Sequence, residues 1–417
     1  MDHFGYRQDQ LFAEDVSLSL IAEEVGTPCY VYSRATLERH YRAFDSAFGD
    51  FPHSICYAVK ANGNLAVLQV LERLGCGFDI VSGGELDRVL AAGGRAEQVV
   101  FSGVGKSTAE IRDALSRGVR ILSVESEAEL ERISEVSQRL GKEAAVALRI
   151  NPDVDPGTHP YIATGLRENK FGVPFVDAVR LYQKAHALKG IRPAGIACHI
   201  GSQLTQVTPF CDALEKVLDL VAELKTHGIE LDHLDLGGGL GIRYADENPP
   251  SPGDYIEALL ATLRRRGCQM HVTLEPGRSI VGNAGVLLTQ VEYTKAGPDQ
   301  DFAIVDAAMN DLLRPSLYQA WHEVVEVNRA GGRPTHRYDV VGPVCESGDW
   351  LARDRMLSIA SGDFLAIRSS GAYGFVMSSN YNARPRPAEV MVDGESFHIV
   401  RERESTASLF AGEHLLP

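Results

Sequence analysis

The 417-residue sequence predicts an α/β fold: a (β/α)8 TIM-like barrel joined to a second, β-rich domain of sandwich or barrel type. Three observations carry this reading. Between about residues 55 and 275, eight apolar strand-like runs alternate with amphipathic helix-like runs. Several helical runs end near a glycine (Gly75, Gly93, Gly118, Gly141, Gly228), as helix C-caps do. Beyond about residue 280 the helical period gives way to short β-type runs separated by turn residues.

In chain order, the strand-like runs are 55–60, 78–82, 99–102, 121–124, 145–151, 194–200, 233–236 and 272–275. Between them lie helical segments at 65–74, 85–92, 109–117, 128–140, 176–187, 209–225 and 255–265. Segment 152–172, rich in Pro, Gly and Asn, exceeds an ordinary strand-to-helix connection and is expected to cover the barrel mouth. Later β runs fall at 286–294, 302–305, 338–341, 364–368, 390–392 and 397–401, and Cys29-Tyr30-Val31-Tyr32 can add a strand to that second domain. The expected division is residues 35–280 for the barrel, with 1–34 and 281–417 forming the β-rich domain.

Hydrophobic residues make up 44% and charged residues 23% of the chain, which excludes disorder and coiled coil. A formal charge of −15 opposes broad phosphate-backbone contact, so nucleic acid is excluded as a partner and a compact small-molecule site is expected. No run of about 18 apolar residues occurs, and no basic segment followed by an apolar stretch opens the chain, so neither membrane spanning nor export is expected. Seven cysteines (29, 56, 76, 198, 211, 268, 345) form no Cys-x-x-Cys pair, which fits a reducing cytoplasm.

In such a barrel the reactive groups stand at the C-terminal ends of strands. Four of those ends carry chemistry: Lys60-Ala61-Asn62, His199-Ile200-Gly201-Ser202, Asp235-Leu236-Gly237-Gly238-Gly239, and Glu275-Pro276-Gly277-Arg278. Taken singly, each has a plainer reading: a solvated strand end, a hydrogen-bonded core imidazole, a tight turn, an ion pair. Together they suggest more. A lysine among apolar neighbours can act as a Schiff-base amine, and the glycines after the last two strands suit a phosphate cradle of backbone N–H groups. Lysine, cradle, carboxylate and imidazole converge on pyridoxal phosphate. Other motifs fail. Gly103-Val104-Gly105-Lys106-Ser107 lacks the first glycine of a P-loop, Gly237 to Ile242 lacks the third glycine of G-x-G-x-x-G, and His322-Glu323-Val324-Val325-Glu326 lacks the second histidine of H-E-x-x-H, so no metal is expected.

The sequence resembles the alanine-racemase-like, fold-type III family of pyridoxal-phosphate enzymes. The resemblance lies in Tyr57 to Asn62, Gly77 to Ser82, His199 to Gln203, Gly237 to Gly241, Glu275 to Arg278, Leu313 to Tyr318, Cys345 to Asp349 and Gly371 to Gly374. It implies that Lys60 joins the cofactor covalently, that Asp79 belongs to the cofactor set, that His199 stacks on the pyridine ring and that Glu275 bonds the ring nitrogen. It also implies that Ser202, Gly238, Gly239, Gly277, Tyr373 and, in part, Arg278 hold the phosphate. A carboxylate at the ring nitrogen favours the pyridinium and hence decarboxylation, whereas the racemases of this fold use arginine there.

By the same resemblance, Cys345 from a partner subunit protonates the carbanion, and Arg278, Arg314, Tyr318, Glu346 and Tyr373 hold the substrate. A guanidinium and a carboxylate complement the carboxylate and ammonium at the far end of a diamino diacid. The expected reaction is decarboxylation of meso-2,6-diaminopimelate to L-lysine and CO2 by a homodimer with shared sites. The alternatives are a decarboxylase of the same fold acting on ornithine, arginine or carboxynorspermidine, and a noncatalytic pyridoxal-phosphate carrier.

Overall fold

A computed structural model describes residues 2–154, 170–298, 300–329 and 332–417. The chain forms two units, one comprising Arg39–Arg243 and Glu247–Ile280, the other Met1–Glu38, Tyr244–Asp246 and Val281–Pro417.

The first unit is a closed parallel barrel of eight strands: β1 His53–Ala58, β2 Gly77–Ile80, β3 Val99–Phe101, β4 Ile121–Val124, β5 Ala144–Asn151, β6 Ile191–Ala197, β7 His233–Asp235 and β8 His271–Leu274. Each strand pairs with the next in sequence, and β8 closes on β1 through Thr273 opposite Ser54. Connecting helices alternate with the strands because their apolar residues recur at helical spacing. In Thr108–Arg117, for example, Ile111, Ala114 and Leu115 are buried. That helix starts on a reciprocal Ser107–Glu110 capping box and stops at Gly118, whose φ of 83° is left-handed.

The barrel predicted from the alternation is present, with one local difference that matters. The apolar run through Lys60 does not stay extended: β1 ends at Ala58, and Val59–Ala61 form a single 3-10 turn. The last pairing of β1 with β2 is Ala58 opposite Asp79, and the Tyr57 hydroxyl donates to the Asn62 carbonyl at 3.0 Å, which draws the backbone round. Beyond β5, residues 155–169 of the segment expected to cover the mouth lie outside the described residues. On the far side of that segment, Val173–Pro174 pair in parallel with Ile150 and Asn151.

The second unit is organised by one eleven-residue strand, Gly285–Lys295. Its first half pairs antiparallel with Cys29–Ser33 and with Phe364–Ile367, and its second half pairs with Asp301–Val305 across a register shift near Val291. Cys29–Ser33 also pairs in parallel with Ala388–Asp393, so an N-terminal strand is enclosed by C-terminal ones. Every residue of Cys29–Ser33 is buried, which is why this run is apolar without alternation. Strands at Val324–Glu326 and Trp350–Leu357, and an N-terminal hairpin of Phe4–Arg7 with Gln10–Ala13, add to the β runs read from the sequence. Among the described residues no helix is long and apolar enough to cross a membrane.

Candidate active site

At the C-terminal ends of the barrel strands lies a cavity of about 420 Å³ lined by Lys60, Val81, Ser102, Gly103, Val104, Gly105, Ser123, Arg149, Phe171, Ala197, Cys198, His199, Asp235 and Glu275. Lys60 enters it from the 3-10 turn after β1, and Nζ sits 3.0 Å from Asp79 Oδ2. Asp79, on β2, is 1% exposed, and its other oxygen, Oδ1, is buried with no hydrogen-bond partner among the described residues. A buried carboxylate with one oxygen unsatisfied is costly in a finished core and common where a ligand completes the site.

Two further carboxyl groups stand beside this pair. Asp235 ends β7 and accepts a 2.8 Å hydrogen bond from the Gly237 N–H, and Glu275 follows β8. Burial pushes Asp235 up to about 6. Burial, and then the neighbouring Asp235 and Asp79, push Glu275 well above the carboxylate range. The hydrogen bond between the two favours the proton on Glu275 and the charge on Asp235. The pair thus keeps one proton and carries one negative charge, as like charges at close quarters must. A cation placed beside the pair would let both ionise.

His199, just beyond β6, is held neutral. Burial, and then the cations Arg149 and Lys60, lower it well below the usual imidazole range, and Nδ1 accepts from the Gly238 N–H at 3.2 Å. The glycine cluster is dictated by crowding: a Cβ on Gly238 would lie 2.2 Å from the Glu275 carbonyl oxygen. Only glycine brings this backbone so close to the end of β8. Glu275 N–H donates to the Gly237 carbonyl at 2.8 Å, which ties the two strand ends together. Ser202 Oγ accepts from Arg278 Nη2 at 3.0 Å, and Gly277 sits against Ala61 and Ala58, where a Cβ would approach to 3.0 and 3.1 Å.

Nine of the sequence-derived residues therefore belong to the barrel unit: Lys60, Asp79, His199, Ser202, Gly238, Gly239, Glu275, Gly277 and Arg278. Of these, Lys60, His199 and Glu275 line the cavity itself. Arg314, Tyr318, Cys345, Glu346 and Tyr373 belong to the β-rich unit. Arg314 and Tyr318 begin and end a five-residue helix. Cys345 and Glu346 are exposed on a turn whose base is pinned by Asp349, which accepts from Met309 N–H and Val344 N–H. On the same turn Cys345 N–H donates to Asn382 Oδ1 at 2.9 Å and Tyr381 donates to Glu346 Oε2 at 3.3 Å. Tyr373 is half-buried with a φ of 55°, uncommon for a tyrosine.

Two cavity groups, Asp235 and Arg149, and the Glu125 carboxylate behind them carry no sequence signal strong enough to assign a role. Asp235 stands at the strand end before Gly237-Gly238-Gly239, where its neighbours in sequence give it no distinctive pattern. Arg149, in β5, lines the cavity, lies over the Phe171 ring at 4.9 Å and pairs with Glu125 at 3.1 Å. Glu125 in turn accepts from Gly103 N–H and Gly172 N–H, which joins three parts of the cavity rim. The available signal was a charged residue within the otherwise apolar run Val146-Ala147-Leu148-Arg149-Ile150.

An amine beside a buried acid, a carboxyl pair that wants a cation, a neutral flat imidazole and a glycine cradle form the donor set that pyridoxal phosphate requires. The chain belongs to the pyridoxal-dependent decarboxylase family, whose pyridoxal-binding-domain model matches residues 34–282. Within that family it is 60% identical to diaminopimelate decarboxylase of Pseudomonas aeruginosa over 417 residues, all of both chains. It is 57% identical to the diaminopimelate decarboxylase of Vibrio cholerae over 418 residues, again all of both chains. Among solved structures, diaminopimelate decarboxylase of M. jannaschii in complex with L-lysine superposes with a TM-score of 0.95 at 38% identity, covering 100% of this chain and 98% of that one. The Helicobacter pylori enzyme with L-lysine gives 0.91 at 41% identity, covering 94% and 98%.

Proposed function

We propose that the protein decarboxylates meso-2,6-diaminopimelate to L-lysine and CO2 with pyridoxal phosphate as cofactor. The observation that carries this is Lys60 Nζ at 3.0 Å from buried Asp79, in one cavity with the Asp235–Glu275 pair. Pyridoxal phosphate supplies, when bound, an electron sink for the pair left on the α-carbon as CO2 departs. Lys60 is the residue that holds it covalently, and Asp79 fixes the position of that amine. Glu275, backed by Asp235, holds a proton at the ring nitrogen, and the neutral His199 presents its flat face to the ring. Backbone N–H groups of Gly238, Gly239 and Gly277, with Ser202, Arg278 and Tyr373, take the phosphate.

At the substrate's far end, Arg314 takes the carboxylate by a bidentate guanidinium contact, with Arg278, Tyr318, Glu346 and Tyr373 around it. Cys345 delivers the proton that replaces CO2. In this reading Cys345 and Glu346 serve the barrel of a second copy, so the working unit is a homodimer. All seven thiols are free, which supports a reducing, cytoplasmic setting.

The cofactor-loaded protein, offered meso-diaminopimelate, ornithine, arginine and carboxynorspermidine, is expected to release CO2 and L-lysine from the first and little from the rest. Preference for a substrate without the distal carboxylate would overturn the assignment. For the shared site, Lys60→Ala and Cys345→Ala chains are mixed. Hybrid dimers are expected to regain activity that neither parent has, and inactive hybrids would refute sharing.

A further inference from the structure

His322 opens the incomplete H-E-x-x-H run, and nothing in the reaction above uses it. In the β-rich unit it is fully buried, at 0% exposure, and Arg314 is 7% exposed. Its Nε2 lies 2.8 Å from Arg314 Nη1, and its Nδ1 lies 2.9 Å from the Arg368 carbonyl oxygen. A guanidinium can only donate and a carbonyl can only accept, so the proton sits on Nδ1 and Nε2 is the acceptor. The imidazole is therefore neutral, in one tautomer, with its plane set by a backbone carbonyl.

The backbone under it is also held. Arg355 Nη2 donates to the His322 carbonyl at 2.8 Å, and Arg368 N–H donates to the Glu323 carbonyl at 2.8 Å. Tyr244 completes the arrangement, with its ring 4.7 Å below the Arg314 guanidinium carbon and edge-on to His322 at 5.4 Å. A planar cation gripped at one N–H and stacked on one face has few orientations left.

We propose that His322 is a positioning residue for the distal-carboxylate site: it fixes the Arg314 guanidinium so that a carboxylate, and not an ammonium or a bare methylene end, is selected. This rests on the reading that Arg314 binds that carboxylate. A phenylalanine keeps the ring's volume and removes both hydrogen bonds. A glutamine keeps an acceptor for Arg314 and loses the tie to Arg368.

The test uses His322→Phe, His322→Gln, Arg314→Ala and the double variant His322→Phe/Arg314→Ala in the cofactor-loaded enzyme. It measures kcat and KM for meso-diaminopimelate and, by calorimetry, affinity for L-lysine, which retains the distal carboxylate, and for cadaverine, which lacks it. His322→Phe is expected to raise KM and weaken L-lysine binding on the order of tenfold, with a much smaller change in kcat and in cadaverine binding. His322→Gln should recover part of the loss, and the double variant should be no worse than Arg314→Ala alone. If Arg314→Ala raises KM and both His322 variants leave it unchanged, the positioning role is wrong and the clamp reading stands. If Arg314→Ala itself leaves KM and L-lysine affinity unchanged, both fall. Should the phenylalanine variant not fold, glutamine alone decides: a KM raised several-fold with kcat retained supports the role, and wild-type KM overturns it.

Discussion

Lys106 is 1% exposed at its side chain and faces Glu129 at 7%, with Nζ 2.8 Å from Glu129 Oε1. The same ammonium donates to the Gly103 carbonyl at 2.8 Å and to the Ser123 carbonyl at 2.6 Å. Gly103 and Ser123 both line the cavity, so this buried cation braces one of its walls. Lys106→Met keeps most of the side-chain length and removes all three bonds. Breaking one side of a buried ion pair strands the other charge and costs about 3–5 kcal/mol. Both variants leave the Gly103 and Ser123 carbonyls without this donor; in Lys106→Met/Glu129→Met the stranded charge is gone, and the damage particular to it is the Glu125 N–H, which donates to Glu129 Oε2 at 2.7 Å. One such unmet donor costs about 1–3 kcal/mol. Urea unfolding at fixed cofactor loading should therefore rank wild type above the double variant, and the double variant above Lys106→Met. The reasoning fails if the single variant lies within about 1 kcal/mol of wild type, or if removing Glu129 as well makes matters worse.

Gly238→Ala must move the backbone, since the new Cβ would meet the Glu275 carbonyl at 2.2 Å; a loss of cofactor affinity by at least about tenfold is expected in an absorbance titration, and wild-type affinity would count against the cradle. Asp311, 1% exposed, is pushed up to about 7, first by burial. Its folded value lies above its unfolded one, so its contribution to stability is fully present below about pH 4 and is lost as pH rises through about 7. Asp311→Asn lacks this term, so its melting temperature relative to wild type should be more favourable at pH 8 than at pH 5, and a pH-independent difference would refute the assignment.

The barrel was legible because its strands are predominantly apolar and its helices amphipathic, a contrast that survives in a single sequence. The run at β5 shows the strength of that signal, and Trp350–Leu357 shows its limit. In the latter, Arg353, Asp354 and Arg355 interrupt the alternation where Asp354 adopts a φ of 57°, so the strand reads as polar loop. Lys60, His199 and Glu275 stand out in the sequence because each lies within two residues of a strand's C-terminal end, the position where barrel chemistry gathers. Arg149 could not, because it lies inside a strand and its importance comes from Glu125 and Phe171, far away in sequence. His322 is the sharpest case. Read locally, it begins a broken metal motif; in three dimensions its partners are Arg314 and the carbonyl of Arg368, and neither contact has a sequence pattern.

Reduction of the cofactor-loaded protein with borohydride, followed by proteolysis and mass spectrometry, asks directly which amine carries vitamin B6. A pyridoxyl phosphate adduct on the peptide containing Lys60, and its absence in Lys60→Ala, is the expected result. An adduct on any other lysine, or an unmodified Lys60 in protein that still binds and uses the cofactor, would contradict the mechanism at its root.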